Sequence, residues 1–255
     1  MTRLIVITSG KGGVGKTTLT SNLAAALTDF GQKVIVMDGN LTTPNLGLHL
    51  GMHLPKKTLH DVLKGKHRLR DAIYPHAYGF SVIPASLGLN DLKGVDPTRL
   101  PEVTFSLLGR ADYVVIDSAA GLGREALSAL SASDETIIIT NPDLPSVTDA
   151  LKVIKLAQET NINVLGVVVN RIKGEDYEMT IEQISELLGV PVISEIPEDR
   201  NIPVSIGMKQ PLVGYSPESP AAIEIKKLAA HLTGRSYEPP KSKGFWQKIV
   251  DWVTS

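Results

Sequence analysis

One short loop constrains this chain more than any other stretch: Gly10, Lys11, Gly12, Gly13, Val14, Gly15, Lys16, Thr17 and Thr18. It follows an apolar, mostly β-branched run, Leu4-Ile5-Val6-Ile7, and precedes residues 19–27, where apolar side chains recur at helical spacing. The setting is strand, loop, helix. Gly10, Gly15, Lys16 and Thr17 satisfy G-x-x-x-x-G-K-[ST], whose glycines let backbone N–H groups close around phosphate oxygens at the positive end of the following helix. Lys16 is then expected to reach the β- and γ-phosphates, and Thr17 to offer its hydroxyl to Mg²⁺. From average residue usage, a chance match in a chain of this length has odds of roughly one in a hundred. The strand-to-helix context lowers them further.

Strand-like runs at 4–8, 34–38, 80–83, 113–117, 136–140, 164–170 and 190–196 are mostly separated by helical patterns at 17–30, 123–130, 146–159 and 177–188. Near-continuous apolar strands between helices predict an α/β fold, a mostly parallel twisted sheet with helices on both faces. Such sheets bind ligands beyond the carboxyl ends of their strands. That rule gathers loops 11–18, 38–40, 117–121, 141–143, 170–171 and 197–199 at one edge. Segment 39–103 is less regular, with a short helix at 59–63 and loop at 84–96. A last helix over 220–232, stopping at Gly234, closes a body of residues 1–234. Residues 235–243, with Pro239-Pro240 and two lysines, have a linker's composition.

Asp117, ending the run Tyr113-Val114-Val115-Ile116, sits where a phosphate-binding loop needs its metal-holding aspartate, acting directly or through water. Asp38, after the second strand, is a candidate for metal-shell or water contact. A turn or cap is the alternative for both. His49 and His53 have i,i+4 spacing but lie among Gly51 and Pro55, so solvated or core histidines are expected rather than a metal pair.

With 255 residues and 42% hydrophobic content, the chain has room for one large core. Its net charge of −1 supplies no global field toward nucleic acid, so no specific nucleic-acid partner is expected. The lack of cysteine excludes disulfides, thiolate zinc sites and cysteine-ligated clusters, and is compatible with a reducing cytoplasm. The first strand begins too soon after Met1 for a cleavable leader. No apolar run approaches the roughly 20 residues that cross a bilayer. A cytoplasmic protein, free or lying on a membrane surface, is expected.

The last twelve residues, 244–255, carry both tryptophans of the chain. Phe245, Trp246, Ile249, Val250, Trp252 and Val253 fall on one helical face, with Gln247, Lys248 and Asp251 opposite. Such a helix on a Pro/Lys linker is either a membrane-surface anchor or a last helix docked on the body. The indole rings and the linker favour the anchor.

The second lysine of the loop, Lys11, carries a family resemblance. The run KGGVGKTT resembles the deviant Walker A box of the MinD/ParA ATPases, and the amphipathic C-terminus is similar to the membrane-targeting helix of the MinD-like branch, with fewer basic residues than usual. The resemblance implies ATP and Mg²⁺ as ligands and a homodimer in the ATP state, with Lys11 crossing to the partner's phosphates as an arginine finger does in trans. Dimerisation would then join two weak tails into one grip on lipid. It implies a second switch at Ser118, Ala119, Ala120 and Gly121. It also implies an adenine pocket from Asn170, Arg171, Pro197, Glu198 and Asp199, and an unidentified protein cargo or activator, with division-site placement among the roles of such proteins. Many relatives carry a second carboxylate two residues after Asp38, but here that position is Asn40. Asparagine can orient water yet lacks a proton-accepting carboxylate, so slow hydrolysis is expected. Three other classes share the loop, of which a metal-cluster carrier uses paired cysteines that this sequence lacks. A ParA-type DNA-partitioning ATPase would bind duplex in a salt-sensitive way, and a small-molecule ligase would release phosphate faster with its second substrate.

Overall fold

The computed structural model describes residues 1–52 and 54–239. Phe245, Trp246, Ile249, Val250, Trp252 and Val253, and with them the expected membrane-facing helix, lie outside the described residues, as does His53.

Among the described residues the strands are β1 (Arg3–Thr8), β2 (Val34–Asp38), β3 (Tyr74–Pro75), β4 (Ser81–Ile83), β5 (Tyr113–Asp117), β6 (Glu135–Thr140), β7 (Asn163–Ile172) and β8 (Val192–Pro197). They form one sheet in the order β3-β4-β2-β5-β1-β6-β7-β8. Every neighbouring pair is parallel except β3 with β4 at the edge. The helices are α1 (Lys16–Asp29), α2 (Leu46–His49), α3 (Leu59–Leu63), α4 (Leu100–Phe105), α5 (Arg124–Ser131), α6 (Leu144–Glu159), α7 (Ile181–Leu188), α8 (Asn201–Gly207), α9 (Leu212–Tyr215) and α10 (Pro220–Thr233).

Strand alternation divides the core between the two faces. Ile5 and Ile7 of β1 join Val34, Val36, Tyr113 and Val115 under α1 and α10, while Leu4 and Val6 join Ile35, Met37, Val114 and Ile116 beneath α3 and α4. On the other side of β1, Ile138, Val167 and Val169 pack under α6 and α7. Each fully buried Ile or Leu removed from water contributes about 1.5–3 kcal/mol. That burial on both faces is why the strands read as unbroken apolar runs.

The expected fold is present, with local differences. The helix expected from 177 begins at Ile181, because Thr180 and Gln183 form a capping box that fixes the first turn. Before it, the Glu178 carboxylate accepts from Lys173 N and Gly174 N and holds residues 173–178 as a turn. The irregular segment contains β3, only two residues long, and a 3₁₀ turn at Leu89–Leu92 inside the stretch expected to be loop. The last body helix starts with Ser219 as N-cap and Pro220 at N1 and ends at Gly234 with φ 65°. Beyond it, Tyr237 packs edge-on against Phe30, with ring centroids 6.1 Å apart. None of the helices searched among the described residues is long and apolar enough to cross a membrane.

Candidate nucleotide site

The site lies where β1 stands between β5 and β6, at the carboxyl ends of all three. The loop after β1 turns through Gly13 (φ 81°) and Gly15 (φ 106°), a backbone that side chains resist. Gly15 is the N-cap of α1, and Leu19 N closes the first helical bond on its carbonyl at 2.8 Å. The first N–H groups of a helix have no partner within it, and together with a glycine turn they suit an anion. Val14 is buried beneath them, and its carbonyl accepts from Asn170 Nδ2 at 2.7 Å. A Cβ at Gly15 would overlap that same Asn170 amide.

Lys16 folds back over the loop, its Nζ donating to Ser9 Oγ at 2.9 Å, while Ser9 Oγ donates to the Lys11 carbonyl at 2.7 Å. Burial lowers the Lys16 pKa, opposed by the charge of Asp117. Lys11 itself is exposed, as are Gly12 and Gly13.

Thr17 Oγ1 donates to Asp117 Oδ2 at 2.6 Å. Asp117 Oδ1 is buried and has no hydrogen-bond partner. Burial raises the Asp117 pKa to about 6, against the lowering effects of the Thr17 hydroxyl and the Lys16 charge. Asp38 lies directly across the β2–β5 register from Asp117. It is fully buried and pushed well above the usual carboxylate range, first by burial and then by the Asp117 charge. A buried carboxylate oxygen without a partner, next to a hydroxyl and a second carboxylate, is an all-oxygen donor set of the kind a hard divalent cation takes. Thr17 and Asp117 fit Mg²⁺ on that ground. Asp38 also shapes the loop after β2, since its oxygens accept from Asn40 N at 3.2 Å and Leu46 N at 3.0 Å.

Asn40 lines the same cavity, but its amide is engaged locally. Nδ2 donates to the Thr43 carbonyl at 2.7 Å, and Oδ1 accepts from Thr43 N and Thr43 Oγ1 at 3.3 and 3.1 Å. The Ser118–Gly121 loop packs onto the glycine loop. Ser118 N donates to Ile7 O at 3.2 Å, Gly121 N to Ser9 O at 2.9 Å, and Ala120 Cβ lies 4.0 Å from where a Cβ at Gly12 would stand. Ser118 Oγ turns back onto the Ala119 carbonyl.

These loops enclose a cavity of about 400 Å³ over Gly12, Gly13, Gly15 to Thr18, Asn40, Ala120 and Arg171. Thr43, Asn45, His49 and Ile206 complete its wall. The sequence marks none of these four as part of a nucleotide site. They come from a loop, from the one-turn helix α2 and from α8, segments too short to show periodicity. His49 is half-buried, its Nδ1 unpartnered and its pKa lowered by burial.

A second cavity of about 280 Å³ shares Arg171 with the first and is lined further by Asn141, Pro142, Asp143, Tyr177, Glu178 and Glu198. Arg171 occupies the register break between Asn170 and Ile172 in β7 with φ 60°, a conformation that costs a non-glycine residue about 1–3 kcal/mol. Of the residues expected to hold a base, Arg171 and Glu198 line this space. Asn170 braces the glycine loop from behind, and Pro197 closes β8 against Ile172. Asp199 is buried, accepting from Asn201 N, Asn201 Nδ2 and Ala221 N at 2.9, 3.0 and 3.3 Å. Asn141 Oδ1 is a buried acceptor without a partner.

Comparison with known proteins gives consistent matches. Residues 5–212 match the family model described as the CobQ/CobB/MinD/ParA nucleotide binding domain. The chain is 40% identical to an uncharacterized ATP-binding protein of Methanocaldococcus jannaschii, over 96% of this chain and 94% of that one. Among solved structures it resembles the septum site-determining protein MinD complexed with Mg-ADP from Pyrococcus horikoshii, with TM-score 0.89, 40% identity and coverage of 91% and 96%. It also resembles the MinC:MinD cell division protein complex of Aquifex aeolicus, with TM-score 0.83, 32% identity and coverage of 94% and 99%.

Proposed function

The chain belongs to the CobQ/CobB/MinD/ParA nucleotide-binding family, among the MinD-like septum site-determining ATPases, and from that premise we propose a nucleotide-switched membrane positioning protein. It binds Mg-ATP, joins a second copy of itself in the ATP state, and attaches reversibly to the inner face of the cell membrane to place machinery such as the division site. The observation that carries the reading is the Thr17–Asp117 pair with its unpartnered Asp117 Oδ1 beside Lys16, under the glycine loop. The Mg-ADP bound by the Pyrococcus relative supports the same ligand class here.

In this reading the backbone of Gly10 to Thr18 would cradle the phosphates, Lys16, now on Ser9, would serve the β- and γ-oxygens, and Thr17 with Asp117 would hold the metal. Mg²⁺ supplies charge neutralisation of the phosphate oxygens. Lys11, exposed at the lip of the loop, extends to the phosphates of the partner subunit. Asn170, Arg171, Pro197, Glu198 and Asp199 form and brace the adenine side. The MinC:MinD complex of the Aquifex relative supports a protein partner here. Hydrolysis is slow, because Asn40 offers no carboxylate and its amide is already committed to Thr43.

The 244–255 segment is the membrane contact, joined to the body through 235–243. Two such segments on one dimer gain about 10²-fold or more in avidity over one. Vesicle sedimentation with ATP, ADP and no nucleotide tests this. The intact chain is expected in the pellet with ATP, and a chain ending at 243 in the supernatant with nucleotide affinity unchanged. Sedimentation of the shortened chain would refute the anchor.

A further inference from the structure

We propose that Glu125, in the first turn of α5, is a positioning residue that ties the Asn40 loop to the Ala120–Gly121 loop, so that both answer the terminal phosphate as one body. The inference rests on the nucleotide-switch reading and adds the part that links its two moving segments. Glu125 Oε2 accepts from Leu41 N at 3.0 Å and from Thr42 N at 3.1 Å, and Oε1 accepts from Thr42 Oγ1. Three donors converge on one carboxylate, a charge-assisted cluster stronger than neutral hydrogen bonds. These bonds reach across 83 or 84 positions of sequence, from the start of α5 to the loop that carries Asn40.

Leu41 is held from its other side as well. Its side chain is buried, and its carbonyl accepts from His60 Nε2 at 3.1 Å. Two residues back, Gly39 N donates to the Asp117 carbonyl at 2.8 Å. These two contacts pin the loop to α3 and β5, and the Glu125 carboxylate is its charged link to α5. Helix α5, in turn, is continuous with the loop that lies against the phosphate cradle. Only Leu122 and Gly123 separate its first residue from Gly121, whose N–H is fixed to Ser9 O. Ala120 and Asn40 face the same cavity. A displacement of Ala120 and Gly121 by a γ-phosphate would thus pass through the start of α5 and the Glu125 carboxylate to residues 41 and 42, and from there to Asn40. Glu125 does not line that cavity, so its part is transmission rather than contact with nucleotide.

Hydrogen exchange on the full chain tests the link, comparing Mg-ADP with the Mg complex of a non-hydrolysable ATP analogue. In the native protein, residues 40–46 and 118–125 are expected to gain protection together with the triphosphate. In Glu125→Ala, 118–125 should keep its response while 40–46 loses it and exchanges about tenfold faster. Mg-ADP affinity should stay within about threefold of native, which reports an intact cradle. Glu125→Gln, which keeps an acceptor oxygen, should restore most of the coupled response. Thr42→Val, which removes one of the three donors, should give a partial loss and serves if the alanine variant does not fold.

An unchanged response of 40–46 in Glu125→Ala overturns the proposal, as does a glutamine variant no better than alanine. A native protein that binds both nucleotides with independent loops overturns the coupling alone. One that binds neither overturns the switch reading, and the coupling with it.

Discussion

Adding one methyl group at Gly15 should damage the cradle in two separable ways. Gly15 sits at φ 106°, where a side chain costs about 1–2 kcal/mol. The new Cβ would also occupy the space of Asn170 Nδ2, which donates to the buried Val14 carbonyl at 2.7 Å. Displacing that amide forfeits the bond and leaves a buried acceptor unsatisfied, about 1–3 kcal/mol. Gly15→Ala should therefore lose about 2–5 kcal/mol, lowering the thermal midpoint by about 10 °C at 2–4 °C per kcal/mol. Asn170→Ala alone should lose only the second part, about 1–3 kcal/mol. Once the amide is gone the methyl group meets no obstacle, so the double variant should be no less stable than Gly15→Ala. Denaturant unfolding of the nucleotide-free chain and its three variants supplies the cycle. A double variant whose loss equals the sum of the two singles would refute the account of Asn170 as the brace behind the glycine loop. So would a Gly15→Ala chain within about 0.5 kcal/mol of native.

Two further perturbations follow from the same geometry. Asn40→Asp supplies the missing carboxylate, although it gives up the donor to the Thr43 carbonyl. Phosphate release should rise at least about tenfold, and equal rates would show that position 40 does not limit turnover. His60 is fully buried, donating through Nε2 to Leu41 O while Nδ1 accepts from Ser86 N at 3.0 Å, which requires the neutral ring. Burial holds its pKa below the ordinary 6.5. The unfolded chain therefore takes up this proton first, so the contribution is complete above about pH 6.5 and is lost as pH falls below it. Between pH 7.5 and 5.5, His60→Gln should lose less stability than native, by up to about 1.4 kcal/mol per pH unit. Parallel declines would sink that assignment.

The glycine loop was legible in the sequence because its chemistry demands contiguous residues of fixed type. The central strands were legible because two-sided burial leaves them largely apolar, whereas the two-residue β3 shows no such run. The α10 stop at Gly234 was visible for a local reason as well, since a left-handed residue after a helix favours glycine. What escaped comes from long-range or very short features. Ser9 receives the Lys16 ammonium, yet a serine before a glycine carries no signal of that. Thr43, Asn45 and His49 reach the cavity from a loop and a four-residue helix that show no period. Glu125 reads as an ordinary acidic residue in a first helical turn, and only the packing of α5 beside residue 41 gives it three donors. Asn170 draws notice for the chemistry of its amide toward a base, whereas its link to Val14 spans 156 positions and belongs to the fold.

In the proposed switch, a bound triphosphate joins two copies of this chain. Light scattering of the full chain in solution, with Mg-ATP, with Mg-ADP and without nucleotide, tests it most directly. A mass near twice 27.4 kDa is expected with Mg-ATP and one near 27.4 kDa in the other two conditions. A single-chain mass in all three, at protein and nucleotide concentrations where Mg-ATP is demonstrably bound, would contradict it.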